Sequence, residues 1–166
     1  MSTLTFHFSK PRDLLDKLSR DLLRLESSAS ACNEQQIADC LFDFCGTGYA
    51  IKDWLKENGT SAFGPTDVEK YLSSTPVLSA CRDICNACKH YTITRYAPNT
   101  GDVYASAGPA TVTALSQPAS GVGLESDTKP KFRVKVLLND GTKYEVTELA
   151  KLVLEAWSKF FASNGI

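Results

Sequence analysis

The sequence predicts a mainly α fold: a four-helix bundle carrying a small antiparallel β insertion between the third and fourth helices. Three observations lead there. Apolar residues recur at three- and four-residue spacing over four long stretches. Pro11, Pro65 and Pro76 sit where helices begin. Between the third and fourth stretches the pattern changes to alternation around an Asn-Asp-Gly turn. With 166 residues the chain has the size of one domain and can bury a core without staples.

The first helix starts near Pro11, with Ser9 as expected cap. Leu14, Leu15, Leu18, Leu22 and Leu25 form its apolar stripe, and Arg12, Asp16, Lys17, Arg20, Asp21 and Arg24 its polar side. Serines at 27, 28 and 30 end it. The second helix is the strongest signal. Asn33 caps it, and Gln36 stands where a capping box would close. Ile37, Leu41, Phe44, Gly48, Ile51 and Leu55 follow helical spacing, and Cys40, Phe42, Cys45, Tyr49 and Trp54 widen the apolar surface. So broad a surface suits a central helix or a dimer seam. Asn58-Gly59 stops it, and a short helix is expected over residues 65–72.

The third helix begins at Pro76 with Thr75 as its cap and runs to about His90. Residues 91–96, Tyr-Thr-Ile-Thr-Arg-Tyr, read as a strand. Residues 103–124 contain no charge and are rich in Ala, Ser, Gly, Thr and Pro; a strand is conceivable at 111–115 and the remainder reads as a flexible segment. Residues 132–138 read as a strand, Asn139-Asp140-Gly141-Thr142 as a hairpin turn, and 143–146 as the returning strand. The insertion thus spans 91–146. Thr147 is the expected cap of the last helix, whose apolar face is Leu149, Leu152, Val153, Ala156, Trp157, Phe160 and Phe161.

A formal net charge of -1 gives no global drive toward nucleic acid or anionic membrane. No apolar run approaches the roughly 20 residues that span a bilayer. The first residues lack the features of a secretory leader, so a cytoplasmic location and six reduced cysteines are expected. The motif Cys85-x-x-Cys88, with Cys81 and His90 near, lacks a second ligand pair at zinc spacing and lies at the wrong end of its helix for a redox pair, so core packing is the expectation. Asp39 and Asp43, one turn apart, could join His90 at a divalent cation or belong to a solvated face.

The third helix carries the candidate chemistry. At about 100° per residue, Arg82, Asp83, Asn86, Lys89 and His90 fall within one arc of roughly 120°, opposite Val77, Ala80, Cys81, Ile84, Cys85 and Cys88. A histidine transfers protons near neutral pH, and an adjacent guanidinium stabilises phosphate charge. With Asn86 one turn before His90 and Lys89 as a substrate-binding cation, the set suffices for metal-free cleavage of a phosphodiester by a ribose hydroxyl. The same face is equally what solvation alone produces on a helix.

An amphipathic helical bundle whose third helix reads Cys81-Arg82-Asp83-Ile84-Cys85-Asn86-Ala87-Cys88-Lys89-His90 resembles the HEPN superfamily of small helical domains. The resemblance implies a metal-independent endoribonuclease, or a degenerate member, in a prokaryotic or phage defence or toxin–antitoxin setting. It implies a homodimer with two motifs facing one another, RNA as partner, no cofactor, and His90, Asn86 and Arg82 as site residues. The family motif is an arginine followed after a short spacing by a histidine. Asn86 and His90 fit the form in which asparagine follows the arginine, but Cys85 then stands at the arginine position, and seven residues separate Arg82 from His90. The alternative reading is a non-catalytic protein-interaction module, for which the near-neutral charge, Cys85 and the chargeless segment argue.

Overall fold

The computed structural model describes residues 7–58, 62–90, 93, 95–107 and 132–166. Among them the chain forms α1 (Pro11–Ser30), α2 (Glu34–Glu57), α3 (Pro65–Ser74), α4 (Pro76–Lys89), β1 (Thr100–Ala107), β2 (Phe132–Leu138), β3 (Lys143–Glu145) and α5 (Val146–Ser163). The four expected long helices are α1, α2, α4 and α5, the short one is α3, and the β insertion falls between α4 and α5. The sheet is antiparallel with strand order β1-β2-β3. None of these helices is long and apolar enough to cross a membrane.

The caps differ in detail from expectation. Lys10, not Ser9, is the N-cap of α1, and its side chain makes no cap bond. Instead the Asp13 carboxylate accepts the backbone N–H groups of Ser9 (2.7 Å) and Lys10 (3.0 Å). Those bonds favour the ionised form and hold the Asp13 carboxyl below its ordinary range. Asn33 does cap α2, its Oδ1 accepting the Gln36 N–H at 3.1 Å. Its own N–H goes to Ser28 O at 3.4 Å, so the expected capping box does not close. Thr75 occupies the N-cap of α4, but its hydroxyl donates backward to Tyr71 O at 2.7 Å. The last helix starts two residues earlier than expected, with Glu145 rather than Thr147 as N-cap.

The core lies where α1, α2, α4 and α5 converge on Gly48. A Cβ built on Gly48 would stand 2.9 Å from Cys81 Sγ and 3.5 Å from both Leu18 and Val153, so only hydrogen fits at this crossing. Trp157, fully buried, donates its indole N–H to Gly48 O at 2.9 Å and ties α5 to the same point. Phe63, Tyr71 and Phe160 surround that indole region, and Tyr71 OH donates to Ala156 O at 2.8 Å, which seats α3 on α5. Much of the apolar surface of α2 is buried within one chain, at Ile37, Leu41, Phe44, Cys45, Ile51 and Leu55, whereas Cys40, Tyr49 and Trp54 are half-buried and Phe42 is exposed.

A second finding reverses an expectation. Asp21, placed by periodicity on the wet side of α1, is only 2% exposed. Its carboxylate accepts from Lys17 Nζ (2.6 Å), the Thr47 hydroxyl (2.6 Å) and Arg24. Thr47 comes from α2, so this is a polar clasp between the first two helices. A buried carboxylate is tolerable because several donors satisfy it.

The expected strand over residues 91–96 does not form at Ile93, Arg95 or Tyr96; positions 91, 92 and 94 lie outside the described residues, as does the conceivable strand at 111–115. The first strand is β1 instead, overlapping the start of the chargeless segment. It pairs with β2 from Thr100↔Leu138 to Ala107↔Phe132, with an irregularity at Gly101. A Cβ at Gly101 would come within 3.0 Å of Asn139 Oδ1, so the irregularity sits where a side chain would crowd the turn. The hairpin turn is as expected, with Gly141 at φ 88° and Asp140 accepting the Thr142 N–H at 2.8 Å.

Gly48→Val should destabilise the fold by about 1–3 kcal/mol through overpacking. Gly46→Val, on the same helix with open space around its Cβ, should cost distinctly less. Urea unfolding of the two variants tests this; equal losses would remove Gly48 from its place at the crossing.

Candidate functional site

The polar face of α4 faces the β insertion, not open solvent along its whole length. Asp83 is 2% exposed, contrary to its expected place on a wet face. Its Oδ1 accepts from Arg82 Nε (3.0 Å) and Arg82 NH2 (2.9 Å). Its Oδ2 accepts the backbone N–H groups of Asn99 and Thr100, the latter at 3.0 Å. One carboxylate thus holds the adjacent arginine and the residues that open β1, and all its acceptor positions are used.

Tyr96 completes the cluster. Its ring lies 4.1 Å under the Arg82 guanidinium, and its hydroxyl accepts from Asn86 Nδ2 at 2.8 Å. Burial pushes the Tyr96 phenol up. Tyr96 was expected to be a strand residue; its ring instead spans Arg82 and Asn86 one turn apart on α4, which explains why the chain bends here. Asn139 supports the far side, donating its backbone N–H to Asn99 O at 2.8 Å and its side-chain amide to Pro98 O at 2.6 Å.

The predicted site residues therefore separate. Arg82 and Asn86 are brought together, with Tyr96 between them. The Arg82 side chain is only 17% exposed, and its guanidinium is already engaged on two sides. His90 is the C-cap of α4; its N–H donates to Asn86 O at 2.9 Å, and its side chain is exposed. Lys89 is exposed beside it. Asp83 and Tyr96 were not singled out as site residues from sequence. Asp83 was legible only as one acid on a polar arc, because its partners lie sixteen and seventeen residues downstream.

The cysteines behave as packing residues, with one change. Cys81 and Cys85 are buried as expected, and Cys81 Sγ donates to Cys45 O at 3.5 Å. Cys88, expected in the core, is exposed, and its thiol donates to Ile84 O at 3.0 Å. The buried arc of α4 is rotated toward Asp83 because the insertion covers that side. Burial pushes the Cys85 and Cys88 thiols up, which disfavours the thiolate needed for metal binding or redox attack. Among the described residues no three His, Cys, Asp or Glu side chains are grouped to hold a metal ion. Asp39 accepts from Gln35 at 3.1 Å, and Asp43 lies 3.7 Å from Arg24.

Two further features border the cluster. Lys52, largely buried on α2, lies 4.2 Å over the Tyr49 ring and pairs with Asp53 (3.1 Å) and Glu69 (3.8 Å). Lys56 also reaches Glu69, at 2.8 Å. Burial acts to raise the Glu69 carboxyl, but the Lys56 hydrogen bond and the charges of Lys52, Lys56 and Arg82 outweigh it and hold the group below its ordinary value. On the other side of Asp83 an apolar groove of about 420 Å³ opens. Leu41, Phe42, Ile84, Ala87, Val103 and Val134 contribute apolar side chains to its wall. Phe42 is 47% exposed and Val103 40% exposed.

The chain matches no protein-family model, no curated protein and no solved structure.

Asp83→Ala should destabilise the protein by about 3 kcal/mol, because it strands the Arg82 charge and two backbone donors. Amide exchange should accelerate at Asn99 and Thr100 ahead of the helical core. Unchanged protection there would separate Asp83 from the anchoring of β1. The depressed Glu69 carboxyl gives a pH test. Its stabilising contribution is present above the unfolded value near 4.5 and is lost as pH falls through the lower folded value. Wild type should therefore melt above Glu69→Gln at pH 7, and the gap should close on acidification below 4; a constant gap would contradict the assignment.

Proposed function

We propose that this chain is a non-catalytic interaction module on a HEPN-like helical skeleton, working in the cytoplasm. The observation that carries the reading is the state of Arg82. A guanidinium that stabilises a transition state must be free to meet phosphate oxygens. Here one edge and one face are engaged, by Asp83 and Tyr96, and the same Asp83 carboxylate ties α4 to the opening of β1. The arginine position of the family motif is held by Cys85, a buried thiol that cannot substitute. The apolar groove beside the cluster is the surface suited to recognition. Six free cysteines support a reducing compartment.

A second reading rests on the exposed pair Lys89 and His90 at the end of α4. In it a HEPN-like homodimer acts on RNA, with His90 transferring the proton and Lys89 and Asn86 holding the strand. A single assay separates the two. Purified wild type and His90→Ala are incubated with labelled RNA in chelator. The interaction reading expects no cleavage above the blank from either. Cleavage by wild type that His90→Ala abolishes would establish the second reading and overturn the first.

A further inference from the structure

We propose that the groove between α2, α4 and β1 is a binding site for a small, uncharged, largely apolar molecule, with anionic ligands excluded. The inference rests on reading this groove as the recognition surface and is independent of whether the chain cleaves RNA.

The volume, about 420 Å³, falls within the range of small-molecule pockets, roughly 300–1,000 Å³. Three separate elements wall it. Ala38, Leu41 and Phe42 come from α2, Ile84 and Ala87 from α4, and Val103 and Val134 from the sheet. A pocket made where independent elements meet encloses a ligand more fully than a patch on one helix does.

The polar chemistry of the wall selects the class of ligand. Among the described residues no lysine, arginine or histidine lines the groove. Its charged side chains are Asp83 and Asp102. Asp83 already accepts four hydrogen bonds and offers nothing to a ligand. Thr100 Oγ1 is buried in the wall, out of a ligand's reach and without a hydrogen-bond partner among the described residues. Asp102 is exposed and uses one oxygen on the Val103 N–H at 2.8 Å, so it places negative charge at the groove. A carboxylate, sulfonate or phosphate would meet like charge with no cation to receive it. An uncharged apolar body gives up no ionic hydration on entry and gains burial against Phe42, Ile84 and Val103.

The test uses a matched pair of probes with one aromatic skeleton: neutral N-phenylnaphthylamine and its sulfonated form, anilinonaphthalene sulfonate. Fluorescence titration of the full chain should show one saturable site for the neutral probe, with a dissociation constant on the order of 100 µM or tighter. The sulfonate should bind at least about tenfold more weakly. Ala87→Trp fills the groove from an exposed position on α4, and Phe42→Asp polarises its exposed wall. Each should weaken the neutral probe at least about tenfold. Asp102→Lys, also exposed, should narrow the gap between the probes.

Absence of a saturable neutral signal, indifference to both Ala87→Trp and Phe42→Asp, or equal binding of the two probes overturns the inference. So does sedimentation showing a dimer that Phe42→Asp dissolves, since a second copy would then occupy the groove. A chain that cleaves RNA yet holds the neutral probe refutes the non-catalytic reading alone. A silent groove in a chain that leaves RNA intact refutes only the ligand.

Discussion

The architecture depends on the absence of a side chain at Gly48. Side chains of three other helices meet α2 at this residue, with Cys81 Sγ 2.9 Å and Leu18 and Val153 3.5 Å from where a Cβ would stand. Their approach permits the Trp157 indole to reach the Gly48 carbonyl, and that bond orients α5. Along α2, Ala38, Leu41 and Phe42 before this point line the groove, and Lys52 and Lys56 after it reach Glu69. Interior packing at this density leaves little room for adjustment, so the geometry of the surface features is inherited from the crossing.

Two buried carboxylates extend the core with polar clasps. Asp21 binds α1 to α2 through Lys17, Arg24 and Thr47; Asp83 binds α4 to the opening of β1 through Arg82 and two backbone amides. Each is fully surrounded by donors, which is the condition under which a buried charge is tolerated. The second clasp has a functional consequence. It fixes β1 and its neighbouring residues as one wall of the groove, and it removes Arg82 from any role that requires an open guanidinium. Arg82 and Asn86, two of the residues that suggest a phosphate-handling face in sequence, contact the insertion through Tyr96 in the fold.

His90 stands apart from that attachment. Its backbone closes α4 while its ring stays exposed beside Lys89. The polar face is therefore split: Arg82, Asp83 and Asn86 are committed to one another, to Tyr96 and to the opening of β1, and Lys89 and His90 face outward. At the groove, Phe42 and Val103 leave apolar surface uncovered among the described residues.

Sequence alone determined the helices and most of the core, because periodicity and proline and asparagine signals are local. The stripes of α1, α2 and α5, the start of α4 at Pro76 and the Asn139-Asp140-Gly141 turn were all legible for that reason. It also brought Arg82, Asn86, Lys89 and His90 to attention, since helical spacing places them on one arc. Tertiary structure decided what that arc does. Asp21 and Asp83 look like solvated acids until Thr47 and the Asn99 and Thr100 amides arrive from distant positions. Tyr96 looks like a strand residue until the guanidinium over its ring is seen. Cys88 looks like core until the insertion rotates the buried side of α4 toward Asp83. In each case the deciding partner is remote in the chain, and no local pattern encodes which donor will meet a given acid or which ring will cover a given cation.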